Sequence, residues 1–136
     1  MNAPEKIALT PKAQFLADNL KEGEHYAGII LGKNGEKDYH LFLLPSEATS
    51  VTHKEAIAWA KKAGGDLPTR CEQSLLFANL KEHFQQAWYW SGEKHVSVSD
   101  YAWIQDFGYG YQYDVRKSCY YRARAVRRYN TRAPPC

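Results

Sequence analysis

Nowhere in the 136 residues does an apolar run approach the ~18–20 residues that cross a bilayer as a helix. The opening "MNAPEKIALT" has no basic segment leading into an apolar stretch, so no secretory signal is expected. Cysteine is scarce and odd in number. Cys71, Cys119 and Cys136 have no metal-ligand spacing, which favours free thiols in a reducing compartment over a disulfide framework.

Catalytic patterns are missing as well. His25, His40, His53, His83 and His95 are scattered without HxH, HxxH or HExxH spacing, so solvated or locally bonded imidazoles are expected rather than ligands. There is no G-x-S-x-G and no phosphate-cradling glycine motif. Asp100, Asp106 and Asp114 sit in the strand-rich half without a D-x-D-x-D loop, and neutralising local arginines explains them as well as a cation does. Cys71 falls in the first turn of a helix, where the dipole lowers a thiol pKa, but it lacks an accompanying base. No catalytic residue, metal ligand or cofactor is expected.

What is present is a polarised distribution of charge and rings. From Arg116 to Arg132 there are seven basic residues and no acid, whereas residues 1–115 hold eleven basic against fifteen acidic. The formal charge of +3 conceals this division. Twelve of the nineteen aromatic residues lie between Trp88 and Tyr129, and eight of those are tyrosine. Ala123 and Ala125 alternate with arginine, so one face of that strand is expected to be core. Arg122 and Arg124 would then share the other face and pair with the acidic body. A nucleic-acid surface of basic residues and stacking rings is the disfavoured alternative. Trp88, Trp90, Trp103 and Phe107 fall at period-two positions and are expected to point inward. Tyr109, Tyr111, Tyr113, Tyr120 and Tyr121 are too many to bury with their hydroxyls satisfied. With Asp114 and Arg116 they are expected to form one exposed patch, a composition suited to adaptable recognition.

The secondary-structure pattern is α+β. Thr10, Pro11 and Gly23 frame a short helix around Phe15, Leu16 and Leu20. Asn34-Gly35 turns a hairpin between "YAGIIL" and "YHLFLL", whose unbroken apolar runs predict a central, buried place in a sheet. Two further helices open on capping boxes, Thr52 with Glu55 and Thr69 with Glu72, the first ending at Gly64-Gly65. Short strands "AWYWS", "DYAWIQDF", "YQYDV" and "YYRARAVRRY" then read as an antiparallel meander. One core joining Trp59, Leu76, Trp90 and Trp103 is expected.

Three strings in order, "GGDLPTRCE", "AWYWSGE" and "DYAWIQDFGYGYQ" with "RARAVRR", resemble the C-terminal domain family of the Legionella collagen-like adhesin. The resemblance covers residues 26–129, with 1–25 as an N-terminal arm carrying the short helix and 130–136 as a tail. It implies a C-type-lectin-like fold, related to formylglycine-generating domains, with two helices packed on an antiparallel sheet and a C-terminal β-meander. By position, Leu67, Pro68, Thr69, Arg70, Glu72, Trp90, Ser91, Trp103, Phe107, Gly110, Arg124, Val126 and Arg127 match framework. Ser97, Ser99, Asp100, Tyr101, Tyr109, Tyr111, Tyr113, Asp114, Arg116, Ser118, Tyr120 and Tyr121 fall where related domains display a variable binding face. The calcium signatures of sugar-binding lectins and the paired cysteines of formylglycine-generating enzymes are not matched. The resemblance therefore implies a non-enzymatic binding module of phage or prophage type, in the bacterial cytoplasm or a virion. A protein is its favoured partner, ahead of a sulfated or anionic polysaccharide. The alternatives are a formylglycine-generating-type enzyme with altered chemistry, or a nucleic-acid binder.

Overall fold

The computed structural model describes residues 9–130; the first residues, the tail from 131 onward and Cys136 lie outside them. In chain order the elements are helix α1 (Pro11–Asn19), strands β1 (His25–Ile30), β2 (Tyr39–Leu43) and β3 (Ala48–Val51), and helices α2 (His53–Lys62) and α3 (Arg70–Leu80). A 3₁₀ turn (Lys81–His83) leads to β4 (Trp88–Lys94), β5 (Tyr101–Asp106), β6 (Gln112–Arg116), β7 (Tyr121–Ala123) and β8 (Val126–Asn130). The class is α+β, as expected.

Local chemistry sets most boundaries. The Thr10 hydroxyl accepts the Ala13 N–H at 3.1 Å, and Thr52 and Thr69 each complete a reciprocal capping box with Glu55 and Glu72. The end of α2 is a Schellman closure: Gly65 N–H bonds the Ala60 carbonyl and Gly64 N–H the Lys61 carbonyl, with Gly64 at φ +92°. Asn34 and Gly35, at φ 56° and 84°, turn the first hairpin with the handedness that follows strand twist.

The strands form a three-stranded sheet, β1-β2-β8, and a five-stranded sheet, β3-β7-β4-β5-β6. Only β4–β5–β6 is an antiparallel meander. Beyond it the expected single strand "YYRARAVRRY" splits at Arg124-Ala125. Its first part, β7, inserts between β3 and β4, parallel to β4, and its second, β8, returns to pair with β2. The break lets Leu44 N–H bond the Ala125 carbonyl and lets Arg124 turn inward. The first hairpin is only half as expected. Strand β2 is central, with Leu41, Phe42 and Leu43 fully buried, whereas β1 is an edge carrying a bulge between Tyr26 and Gly28, and Ile29 is exposed. The short "ATSV" of β3, all small or polar up to Val51, gave no strand signal.

Tyr89 and Trp90 are neighbours in β4, and strand alternation sends them to different clusters. Trp90 joins Leu44, Ala56, Ala60, Leu67, Ala102, Ile104, Ala123 and Ala125, with Trp59 and Trp88 packed half-buried against them. Tyr89 joins Ala27, Leu41, Leu43, Leu76, Leu80, Phe107 and Val126. The expected single core is therefore two. Trp103 is in neither, because its register partner Asp114 places it on the face opposite Trp90 and Ile104. Its half-buried indole lies beneath Arg70, with the guanidinium 3.5 Å from the ring centroid.

The basic strands are bonded into the body. Arg124 donates to the carbonyls of His83 and Leu44 at 2.6 and 2.9 Å, and Arg122 pairs with Glu47 at 2.5 Å. Arg127 clamps both oxygens of Glu24 and the Asn19 carbonyl, tying α1 and its following turn to β8. Arg128 reaches both oxygens of the fully buried Glu72, which also accepts the Tyr39 hydroxyl at 2.6 Å. Burial pushes the Glu72 pKa up, but Arg128 and Tyr39 outweigh it and hold the carboxyl below the ordinary glutamate range.

Candidate functional site

The turn joining β5 to β6 is built on Asp106. Its carboxylate accepts the N–H groups of Gly108 at 2.9 Å and Tyr109 at 3.1 Å, and its carbonyl accepts the Gly110 N–H. Gly110 sits at φ +88°, and a Cβ there would stand 3.0 Å from the Phe77 ring. The positive φ favours glycine at this position, and a larger residue would also press on the Phe77 ring.

Through this turn and into β6, Tyr109, Tyr111 and Tyr113 form a row. Successive ring centroids are 6.4 and 6.5 Å apart, and the side chains are 82, 60 and 56% exposed. Trp88 extends the row inward, its ring 5.5 Å from Tyr113. It was expected in the core and instead forms the half-buried floor of the face. The registers Trp88 with Asp106 and Ile104 with Tyr113 place all these rings on one side of the sheet.

Asp114 and Arg116 are not part of that row. Alternation along β6 turns them, with Gln112, to the other side. There Arg116 faces Tyr101 across the strands, 6.0 Å from its ring, and Asp114 lies beside Trp103 and 3.7 Å from His95. The expected single patch is thus divided by the sheet. On this second face Gln112 donates to Gln105 and to the Arg70 carbonyl, while Gln105 donates to the Gln73 carbonyl, fixing the start of α3 to the sheet.

The remaining expected positions scatter. Ser97, Ser99 and Asp100 are exposed on the loop between β4 and β5, whose form is held by His95 Nδ1 accepting the N–H groups of Ser97 and Val98. Asp100, Arg116, Lys117 and Ser118 line an open groove of about 260 Å³. Tyr120 is 63% exposed but stands outside the row. Tyr121 departs from expectation: it packs edge-on against buried Trp90, and burial raises its pKa. Its place on the inserted strand β7 requires this.

Histidines follow local bonding. His53 is buried and bonded to the Ser91 carbonyl, His40 bonds the Tyr26 hydroxyl at 2.8 Å, and His25 stacks on His83 at 3.7 Å. Burial lowers the pKa of His25, His40 and His53. Among the described residues, Cys71 and Cys119 are free thiols, no group of three His, Cys, Asp or Glu side chains is placed to hold a metal ion, and no helix is long and apolar enough to cross a membrane.

Arg70, Trp88 and His95 were not among the expected site residues, yet they shape the two faces. Trp88 could have been found by pairing "AWYWS" with "WIQDF" in register; Arg70 could not, because its stack on Trp103 spans α3 and β5. No protein-family model matches the chain, and no curated protein is significantly similar to it.

Proposed function

We propose that this chain is a non-enzymatic binding module that captures another macromolecule on the Tyr109–Tyr111–Tyr113–Trp88 face. The observation that carries the reading is that contiguous, exposed row of rings. Large aromatic side chains are rarely left in solvent as a continuous patch unless something covers them, and tyrosine gives rigid amphipathic contact area at low entropic cost.

A protein is the proposed partner rather than a sulfated or anionic polysaccharide or a nucleic acid. Polyanion binding draws on free cations, whereas Arg122, Arg124, Arg127 and Arg128 are all engaged with carboxylates or carbonyls. We further propose a C-type-lectin-like arrangement and a phage or prophage origin, on the strength of the ordered motifs around Leu67–Glu72, Trp90–Ser91 and Trp103–Gly110. In that setting the module acts in the bacterial cytoplasm or on a virion, and blocking a host defence component is one form such binding takes.

The test is capture of a defined partner from bacterial lysate by immobilised protein, with and without chelator, comparing the wild type with Tyr111→Ala/Tyr113→Ala. Loss of capture by a variant with unchanged melting temperature supports the face. Undiminished capture by the folded double variant overturns it.

A further inference from the structure

Among the described residues, strand β6 is an outer strand of the five-stranded sheet, with β5 on one side only. The phase of its hydrogen bonds follows from two flanking contacts. Asp106 N–H bonds the Tyr111 carbonyl, and Lys117 N–H bonds the Asp100 carbonyl, each at 2.8 Å. Antiparallel pairs alternate between bonded and non-bonded. Tyr111, Tyr113, Val115 and Lys117 therefore bond toward β5, and the backbone groups of Gln112, Asp114 and Arg116 point to the open edge. The Arg116 carbonyl also takes the Cys119 N–H in the following turn at 3.0 Å, which leaves it a second lone pair.

The other outer strands are short or partly covered. Asn79 donates to the Ala27 carbonyl along β1 at 2.7 Å, Asp66 exchanges backbone bonds with Val126 at the start of β8, and β3 is only four residues long. Strand β6 has no proline and no bulge, and its outward-bonding positions carry both signs of charge, Asp114 and Arg116, on one face.

That edge is complementary to itself. We propose that β6 pairs antiparallel with β6 of a second copy of this chain, Asp114 of each opposite Arg116 of the other, with Val115 against Val115 at the two-fold axis. Cross-strand neighbours share a face, so opposite charges meet in both halves of the pairing. The register one step away sets Asp114 against Asp114, which is repulsive. The next sets Gln112 against Asp114 and leaves Arg116 opposite Gly110, whose positive φ interrupts the extended backbone. Pairing at Val115 keeps both tyrosine rows on the same side of one continuous sheet, giving a bivalent aromatic face. The pairing stands independently of what that face captures.

Sedimentation equilibrium across micromolar to millimolar protein tests this with a charge swap. The wild type is expected to dimerise, weakening as salt rises. Asp114→Arg and Arg116→Asp should each weaken self-association by about tenfold or more, and an equimolar mixture of the two should restore a dimer, because each then presents one sign to the other. Circular dichroism screens each variant for folding, with Asp114→Lys and Arg116→Glu replacing any that fails. A wild type that stays monomeric throughout overturns the proposal and leaves the edge to an extended peptide. So does a dimer that both single variants retain, or a mixture no more dimeric than its components. Tyr111→Ala/Tyr113→Ala, whose side chains lie off the bonding edge, should still dimerise, which separates this pairing from partner capture.

Discussion

Residues 108–116, with three tyrosines and one arginine, and residues 121–130, with two tyrosines and four arginines, are neighbouring ring- and cation-bearing segments with opposite fates. In the first, Tyr109 and Tyr111 in the turn and Tyr113 on the outer strand β6 stand in solvent. In the second, Arg122, Arg124, Arg127 and Arg128 are held by acceptors 41 to 108 residues earlier in the chain, and Tyr121 packs on Trp90. The difference lies in neighbours rather than residue type. β7 lies between β3 and β4, and β8, itself an outer strand beside β2, is bridged by Asp66 and meets acids and carbonyls of the body, whereas among the described residues β6 has only β5 beside it. A run of arginine near a chain terminus is therefore not by itself a surface for polyanions. Here it welds the last strands to the body.

The largest effect that would break this comparison is removal of Arg128. Arg128→Ala leaves the fully buried Glu72 without its cation, and loss of one partner of a buried pair costs about 3–5 kcal/mol. Urea denaturation at neutral pH should show it, and adding Glu72→Gln should recover part of the loss. Acid comes next. The Glu24 and Glu72 carboxyls are raised by burial but lowered further by their arginine partners, so their folded pKa values lie below the ordinary value of about 4.5. Their contribution is present above that value and is lost as pH falls through the folded values. The gap between wild type and Arg128→Ala should accordingly narrow in acid. A gap independent of pH would show that Arg128 acts by packing alone.

His25, His40 and His53 have pKa values lowered from about 6.5 by burial. The neutral ring is favoured in the fold, so stability should decline as pH drops from 7 through that range toward the folded values. The decline should appear in unfolding curves taken below about pH 6.5, and a flat profile there would contradict the burial of these rings. A smaller effect is expected in the tyrosine row. Tyr111→Ala/Tyr113→Ala should change stability by about 1 kcal/mol or less, as for exposed positions generally; a larger loss in thermal unfolding would make the row a structural element. The smallest signal should come from random single-stranded DNA. With four arginines engaged, its binding at physiological salt should be weak, with a shallow salt dependence measured by fluorescence anisotropy.

Interactions closed within a few residues were legible in the chain. Thr10, Thr52 and Thr69 cap their helices, Gly64-Gly65 closes α2, and Asn34-Gly35 turns the hairpin, because each partner lies within about one helical turn or one β-turn of the other. The burial of Ala123 and Ala125 was legible, as was the exposure of Tyr109, Tyr111 and Tyr113. The expected alternation does not account for the alanines, because the strand breaks between them and Arg124 is buried with them instead of sharing an outer face with Arg122. Period two also implied that Tyr113 and Asp114 face apart, although composition alone grouped them.

What only the tertiary structure decided is which strand lies beside which. Pairing partners depend on contacts distant in sequence, and several orders satisfy the same alternation of apolar and polar residues. The insertion of β7 between β3 and β4 turned Tyr121 inward, and the return of β8 to β2 brought Arg127 and Arg128 to Glu24 and Glu72. The same arrangement sent Trp103 beneath Arg70 and left β6 at the edge, with Tyr113 and the tyrosines leading into it uncovered. Local sequence determined the elements and their periodicity, because caps and turns are short-range hydrogen bonds. Strand order determined which polar groups are satisfied inside, because a buried arginine or carboxylate can only be held by the partner the fold brings to it.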